Sequence, residues 1–297
     1  MFVYIRNPSN NFKQHLEPCI YRKQLCLLKW YINRSKYKTN IQQDYTWRFA
    51  LEELEPVNTA LVVTPHPDDA EFGCAGTAAR LISEGKKVYY VVTTNGDKGG
   101  RKTDMTAEYL INARQEEQKE AAKVIGVSDV VFLPFGDGEL EDNREVRGQL
   151  VYYIRKFKPD IVFTTDPFRS SFYIHRDHRI TGLVTLDAVF PYARDLLHFP
   201  EHIEQGLDGH NVDEIFFWGS ENPDTFIDVS SVIDLKIQAL LKHKSQMGDY
   251  INEAGGEEGF ANRMKEMGRK QIVKYDLKFE HAEMFRRYGI RRMMSED

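Results

Sequence analysis

Short apolar runs alternate with longer amphipathic segments between residues 60 and 245 of this 297-residue chain. We expect each run to form a strand and each amphipathic segment to form a helix, because apolar residues recur in them at strand or helix spacing. Strands that alternate with helices favour a mainly parallel sheet covered on both faces. The sequence therefore predicts an α/β fold, a Rossmann-like three-layer α/β/α arrangement with helical N- and C-terminal extensions. The predicted strands are 60–64, 87–94, 129–133, 161–165, 214–218 and 225–229, and the predicted helices are 73–84, 106–125, 144–157, 179–190 and 231–245.

The segments outside this alternation differ in character. Residues 1–57 lack clear periodicity and are predicted to form a partly helical N-terminal extension, ahead of a domain at 58–297. The tail 254–297 is predicted to be helical and charged, with Phe260, Met264 and Met267 on one stripe. Loops as long as the irregular stretch 191–213 are usually functional, so we expect a binding wall there. Its three histidines share no spacing and are interpreted as solvated loop residues rather than ligands.

Composition excludes several classes of function. Hydrophobic residues make up 41% of the chain and charged residues 29%, as in ordinary soluble proteins. A net charge of −5 gives no reason to expect nucleic acid or an acidic membrane surface as partner. No apolar run is long enough for a membrane span or a clean signal peptide, and an odd count of 3 cysteines argues against a disulfide framework. We therefore expect a cytoplasmic protein, in which Cys74 is a small buried thiol.

A polar loop follows the first predicted strand directly and holds His66, Asp68 and Asp69. In an open parallel sheet, ligands bind at loops that leave the carboxyl ends of strands. Packing alone does not favour these side chains together, because uncompensated charges are costly to bury. The alternative is that Asp68 or Asp69 only caps the following helix. One cap does not require two aspartates and a histidine, so the loop indicates a divalent-metal site.

A second polar loop strengthens this interpretation. It follows the predicted strand 161–165 and contains His175, Asp177 and His178. One of these histidines can supply a third metal ligand and leave the other free for proton transfer. Together the two loops offer two histidines and a carboxylate with an open coordination position, as catalytic zinc sites do.

These motifs resemble those of the PIG-L/LmbE-like family of zinc-dependent N-acetylglucosaminyl deacetylases. The resemblance covers roughly residues 54–249, and within the family it is nearest to the diacetylchitobiose deacetylase branch. It implies one Zn²⁺ per chain, an N-acetyl amino sugar as substrate, and a homo-oligomer. The motifs are Pro65-His66-Pro67-Asp68-Asp69-Ala70-Glu71, Thr94-Asn95-Gly96-Asp97, Arg114-Gln115-Glu116-Glu117, His175-Arg176-Asp177-His178 and His243-Lys244-Ser245-Gln246.

On the basis of this resemblance, the metal is assigned to His66, Asp69 and His178. Asp68 is the candidate general base, with a supporting carboxylate as the alternative. Glu71 falls in the first turn of the next helix, where it supports a ligand or the helix dipole.

The resemblance suggests roles for residues farther from the metal. His175, oriented by Asp177, is expected to stabilise an oxyanion as an imidazolium, and Tyr173 to donate to the same oxyanion. Arg114 is expected to bind sugar hydroxyls, the alternative being an ion pair on a solvated helix face. His243 is either a second acid or substrate contact, acting even across a subunit boundary, or an ordinary core histidine.

The sequence thus predicts hydrolysis of an acetamide on an amino sugar. A non-sugar acetamide is an open alternative, and the group attached to the sugar is expected to contact 191–213. A non-catalytic Rossmann-type nucleotide-binding module is disfavoured, because Gly73 and Gly76 lack the Gly-x-Gly-x-x-Gly spacing. A metal-dependent phosphoesterase would usually need a second metal and more ligands.

Overall fold

A computed structural model describes residues 57–100, 105–171 and 173–290. Nearly all of the predicted N-terminal extension, 1–57, lies outside the described residues, so that prediction and the domain boundary stay predictions. The described part of the chain forms a seven-stranded sheet with helices packed against it. Its strands are β1 (Thr59–Thr64), β2 (Lys87–Thr94), β3 (Asp129–Phe135), β4 (Ile161–Thr165), β5 (Glu214–Trp218), β6 (Thr225–Asp228) and β7 (Ala282–Gly289).

The strand order across the sheet is β3-β2-β1-β4-β5-β7-β6. Strands β1 to β5 pair in parallel, with Val62 opposite Tyr90 of β2 on one side and Phe163 of β4 on the other. β7 pairs antiparallel with both β5 and β6. β1 and β4 are buried on both faces, as their unbroken apolar runs require. The predicted three-layer α/β fold with a mainly parallel sheet is confirmed.

The helices cover the two faces of this sheet. No helix in the described ranges is both long enough and apolar enough to cross a bilayer. Cys74 lies fully buried between the first two helices. The helices are α1 (Asp69–Gly73), α2 (Ala75–Ser83), α3 (Ala107–Ile125), α4 (Arg144–Phe157), α5 (Arg176–Asp187), α6 (Pro200–Glu204), α7 (Ile233–Leu240), α8 (Lys244–Glu253) and α9 (Glu257–Lys274).

Local capping explains where α3 begins and ends and where α4 begins. The Thr106 side chain accepts a hydrogen bond from the Tyr109 N–H at the start of α3, and Gly126 ends that helix at φ 91°. The Asn143 side chain accepts from two backbone N–H groups at the start of α4. Both helices therefore lie close to their predicted bounds.

The prediction of a wholly helical tail over 254–297 is wrong for its second part. α9 fits the prediction, but β7 enters the sheet between β5 and β6. The charged residues of β7 led to the prediction of a charged helix. In the fold, the carboxylate and guanidinium groups of this strand pair with other segments. The Glu283 carboxylate accepts from the Gly76 and Thr77 N–H groups at 2.9 and 2.7 Å, and the Arg287 guanidinium pairs with Glu214.

The predicted helix 231–245 is interrupted. A single 3₁₀ turn, Ser230–Val232, precedes α7, and α7 ends at Leu240. His243 is therefore the residue before α8 rather than a position on a continuous helix face. This break decides where its imidazole lies.

The stretch 191–213 does not form the expected wall beside the metal-binding loops. It packs on α4, where the fully buried Arg155 donates hydrogen bonds to backbone carbonyls of this stretch. These carbonyls belong to Tyr192, Ala193, Asp195, His198 and Phe199. The Arg155 guanidinium thus gives these carbonyl groups the hydrogen bonds that regular secondary structure would otherwise supply.

We expect Arg155→Met to lower the free energy of unfolding by about 3 kcal/mol or more, because hydrogen bonds to a charged donor contribute roughly 1.5–3 kcal/mol each. Lys156→Met changes the next residue of the same helix, where the side chain is exposed, and is the matched control. Denaturant unfolding of the two variants measures the difference. Equal stability of both variants would contradict the role given to Arg155.

Candidate active site

The candidate site lies where the strand order reverses. β1 lies between β2 and β4, and the chain reaches β4 only after forming β2 and β3 on the opposite side. The loops that leave the carboxyl ends of β1 and β4 therefore diverge and leave a crevice, the usual ligand site of open α/β sheets. The first loop and the start of α1 carry His66 to Asp69, and the second loop and the first turn of α5 carry Tyr173 to His178.

His66, Asp69 and His178 converge in this crevice. One ligand atom from each lies within 4.8 Å of the others. Asp69 Oδ2 is 3.0 Å from His66 Nδ1 and 3.1 Å from His178 Nε2. The buried His178 Nε2 has no hydrogen-bond partner among the described residues, although Asp69 is so near. Such spacing is close to the roughly 3.3 Å that separates two ligands of a tetrahedral zinc ion.

The surroundings of the two imidazoles suit metal binding as well. His66 presents Nδ1 to Asp69, while its Nε2 lies 3.1 Å from Asp177 Oδ2. His178 Nδ1 lies 3.4 Å from Thr165 Oγ1. A second partner on the far ring nitrogen fixes the tautomer and orientation of a ligating histidine. The residues present therefore fit a single divalent metal held by two histidines and a carboxylate.

Asp137 is a site residue that the sequence analysis missed. It follows β3, and its Oδ1 lies 3.2 Å from His66 Nε2. The next residue, Gly138, donates its N–H to Asp177 Oδ2 at 2.6 Å. A third strand-end loop thus contributes to the crevice. In the sequence, this loop could have been recognised only by a single aspartate two residues after an apolar strand.

A second group of possible ligands shares His66 with the first. Ligand atoms of His66, His175 and Asp177 also lie within 4.8 Å of one another. The two ring nitrogens of His66 face the two groups separately, and the Nε2 side holds two carboxylates within hydrogen-bond distance. This side therefore suits the supporting carboxylates of a ligand, which leaves Nδ1 with Asp69 and His178 for the ion.

Carboxylates dominate the electrostatics of the cluster. Burial lowers the pKa of His66, but hydrogen bonds to Asp137, Asp177 and Asp69 outweigh it and hold that pKa well above 6.5. Burial raises the pKa of Asp69, but His178 and His66 outweigh it and hold that pKa well below its ordinary value. The raised pKa favours the protonated form of His66 beside these carboxylates.

We expect metal binding at pH 7 to release about one proton, because a ligating imidazole must be neutral. Since the pKa of His66 is raised, the affinity for the metal should weaken as the pH falls through and below that pKa. Calorimetric titrations with Zn²⁺ in buffers of different ionisation enthalpy measure the release. Asp137→Asn should reduce it, because this substitution removes a carboxylate that keeps His66 protonated. Equal proton release by the variant and the unchanged protein would contradict this account.

Asp68 occupies an unusual backbone conformation beside the cluster. Its φ is 106°, a left-handed region that few residues other than glycine adopt. Gln118 Oε1 accepts a hydrogen bond from the Asp68 N–H at 3.0 Å. Burial and the charge of Asp69 raise the pKa of Asp68 to about 6, despite the opposing charge of Arg114. Asp68 also lines the cavity beside the cluster.

Arg114 lies beneath the loops rather than on a solvated helix face. It is buried, and its guanidinium donates to the Gly96 carbonyl at 3.0 Å and the Pro67 carbonyl at 2.8 Å. One nitrogen also lies 3.4 Å from Asp68 Oδ2. Arg114 thereby joins the loop after β1 to the loop after β2. It does not line the cavity in which a sugar would bind.

Three buried side chains support Asp68 from the other side. Glu71 accepts a hydrogen bond from Gln118 Nε2 at 2.9 Å and lies 3.1 Å from His243 Nε2. Burial lowers the pKa of His243, but its bond to Glu71 outweighs burial and raises that pKa. His243 is fully buried and does not line the cavity. The Glu71 carboxylate points to Gln118 and His243 rather than to a predicted metal ligand.

His175 and Tyr173 lie at the mouth of the site. His175 caps α5 by accepting the Asp177 N–H on its Nδ1 at 3.2 Å, and its ring contacts the ring of His66 edge-on. Burial and the charges of His66 and His178 lower the pKa of His175. The Asp177 carboxylate is directed at His66 and Gly138 instead of the His175 ring. Tyr173 is 56% exposed, packs edge-on against His178 and lines the cavity.

Comparison with known proteins agrees with this geometry. Residues 61–189 match the family described as "PIG-L: GlcNAc-PI de-N-acetylase". A diacetylchitobiose deacetylase of Thermococcus kodakarensis is 34% identical over 202 residues, which cover 68% of this chain and 75% of that protein. The chain belongs to the PIG-L family. The resemblance noted in its motifs is thereby confirmed.

Two further comparisons extend the result. A probable N-acetyl-α-D-glucosaminyl L-malate deacetylase 2 of Bacillus cereus is 28% identical over 197 residues, covering 63% of this chain and 82% of that one. The solved structure of N,N'-diacetylchitobiose deacetylase from Pyrococcus horikoshii superposes with a TM-score of 0.71 at 28% identity. It covers 84% of this chain and 88% of that chain. The α/β fold is therefore that of PIG-L deacetylases.

Proposed function

We propose that this protein is a metal-dependent deacetylase acting on an N-acetylglucosamine-type amino sugar. The observation that carries the proposal is the convergence of His66, Asp69 and His178, with Asp68 beside them, in one crevice. Relatives named as deacetylases of diacetylchitobiose and of an N-acetylglucosaminyl malate support the substrate class.

In this proposal His66, Asp69 and His178 hold one Zn²⁺ per chain. A zinc ion bound there supplies Lewis-acid activation of water and of the acetamide carbonyl. Asp177 and Asp137 hold the His66 ring through Nε2. This arrangement presents the ring in one tautomer, with Nδ1 free to ligate.

Asp68 is the proposed general base. A raised pKa of about 6 leaves it mostly ionised at neutral pH, yet basic enough to accept a proton from water. The proton it accepts can then be returned to the departing amine, which needs one. The hydrogen bond from its own N–H to Gln118 and the contact with Arg114 restrict where its carboxylate can point.

His175 and Tyr173 are proposed to act on the developing oxyanion. Both lie next to His178, and the Tyr173 ring lines the cavity wall there. Asp177 would act on His175 through the backbone N–H that caps its Nδ1, which leaves Nε2 available for the substrate. A phenol and an imidazole at one edge of the site offer two donors to the same oxygen.

Arg114 and His243 take positioning roles in the proposal. Arg114 holds two loops by their carbonyls and constrains Asp68. His243 reaches Asp68 through the hydrogen bonds of Glu71 and Gln118 and through its charge, which lowers the pKa of Asp68. Because His243 is fully buried, we do not place it in contact with substrate. A non-sugar acetamide is the alternative substrate for the same residues.

The test is a product screen with the zinc-loaded protein. N,N'-diacetylchitobiose, N-acetylglucosaminyl malate, N-acetylglucosaminyl inositol and a simple non-sugar acetamide are incubated with it, and primary amine is measured. Amine release from one or more of the sugars supports the proposal. If only the non-sugar acetamide released amine, the substrate would not be an amino sugar. If the zinc-bound protein released amine from none of the compounds, the proposed function would be wrong.

A further inference from the structure

A large cavity opens directly on the candidate metal cluster. Its volume is about 660 Å³, enough for more than one sugar ring, and Asp68, Asp69, Tyr173 and His178 line one part of it. A neighbouring cavity beside Tyr173, His175 and His178 has a volume of only about 110 Å³, so a large group attached to the reacting amide has its room in the larger cavity. The lining of the cavity therefore reports the chemistry of the attached group.

Much of the remaining wall is apolar. Large side chains come from α1, α8, α9 and β7, and several remain open to solvent: Phe72 is 44% exposed and Met267 is 54% exposed. Methionine is flexible and polarisable, and it suits surfaces that bind apolar groups of varied shape. The apolar lining includes Phe72, Met247, Phe260, Met264, Met267 and Met284.

The elements that supply most of this wall are separate from those that hold the cluster. The predicted ligands and Asp68 come from the loops after β1 and β4 and from the first turns of α1 and α5, whereas α8, α9 and β7 contribute none of them. These three elements also lie beyond residues 61–189, the stretch that matches the family. Most of the wall thus comes from a C-terminal part of the chain that lies outside the residues matched to the family.

We propose that the amino sugar carries an apolar aglycone, an alkyl or aryl group, which binds against the methionine- and phenylalanine-rich wall. This inference rests on the proposed function. The sugar ring lies between the reacting acetamide and the wall, where its hydroxyls meet polar residues such as Gln246 and Arg169 that also line the cavity. Burying the aglycone removes apolar surface of both substrate and protein from water.

The test uses matched glycosides of N-acetylglucosamine with the zinc-loaded protein. Methyl, butyl and hexyl glycosides are compared, and a 2-methoxyethyl glycoside matches the butyl compound in length but is polar. Each methylene that is buried favours binding by a factor of about 4. Burial of two or three of the five additional methylenes of the hexyl group should therefore raise kcat/KM about 15- to 60-fold over that of the methyl compound. The 2-methoxyethyl compound should resemble methyl rather than butyl.

Two variants locate the effect. Met264→Ser combined with Met267→Ser should bring the hexyl-to-methyl ratio of kcat/KM close to 1, because both side chains line the cavity. Val273→Ser, on the same helix but 80% exposed and outside the cavity, should leave the ratio unchanged. The ratio is taken within each variant, so partial loss of folded protein cancels.

The outcomes separate this inference from the proposed function. Equal turnover of all the glycosides would overturn the apolar aglycone while leaving the deacetylase function standing. Absence of turnover with every glycoside would overturn the function itself. If N-hexanoylglucosamine were preferred over the hexyl glycoside, the wall would bind the acyl group of the substrate. That result would overturn the proposal that the wall binds the aglycone.

Discussion

Asp68→Asn is expected to bind zinc as the unchanged protein does and to lose activity by about 10²- to 10⁴-fold, the usual contribution of general base catalysis. Asparagine retains the size of the side chain and tolerates the left-handed conformation at φ 106°, so the loop should keep its shape. It cannot accept a proton at neutral pH. Metal content and kcat, measured on the same preparation, separate catalysis from metal binding.

Asp276→Asn is the matched control for this variant. Asp276 is also an aspartate with positive φ, at 50°, and it lies after α9 and outside the cavity lining. The control should keep full activity. If Asp68→Asn with zinc bound turned over at a near-normal rate, Asp68 would be structural and another group would have to accept the proton.

Removal of either predicted histidine ligand should abolish both metal binding and activity. His66→Ala and His178→Ala each leave only two of the three proposed ligands, too few for tight binding of zinc. His66→Ala also leaves Asp69, Asp137 and Asp177 facing one another without their shared cation. We therefore expect this variant to be less stable than His178→Ala, in addition to being inactive.

Metal content after dialysis, together with thermal unfolding, measures both effects. His198→Ala is the control. His198 lies in the stretch 191–213, where its ring packs against Tyr192, and it is not one of the residues that form the cluster. This variant should keep its zinc. Stoichiometric zinc in the His66/His178 double variant would show that the ligands lie elsewhere.

The features that sequence reasoning predicted well share a physical basis. Strands buried on both faces give unbroken apolar runs, and ligands at their carboxyl ends follow within a few residues. His66 and Asp69 after β1, and His178 after β4, could therefore be brought together from the sequence. Their coordination of a metal, like the other site roles, stays a prediction that the experiments above address.

The features that were missed depend on contacts between distant segments. Asp137 is a single aspartate in a glycine-rich loop, and only the pairing of β3 with β2 brings it near His66. β7 resembles a charged helix until its Glu283 and Arg287 find buried partners. The cavity wall was expected from 191–213, whereas α8, α9 and β7 supply it. The break after α7 could not be foreseen from helical spacing. The burial of His243 agrees with the alternative of a core histidine.

The most direct test of the whole account is a zinc titration of the metal-stripped protein with an N-acetylglucosamine glycoside as substrate, in which acetate and primary amine are both measured. We predict no activity without zinc, a linear rise that ends at about one zinc per chain, and acetate and amine released in equal amounts. Equal rates with and without zinc, or consumption of the glycoside without acetate release, would contradict the proposal of a single-metal deacetylase.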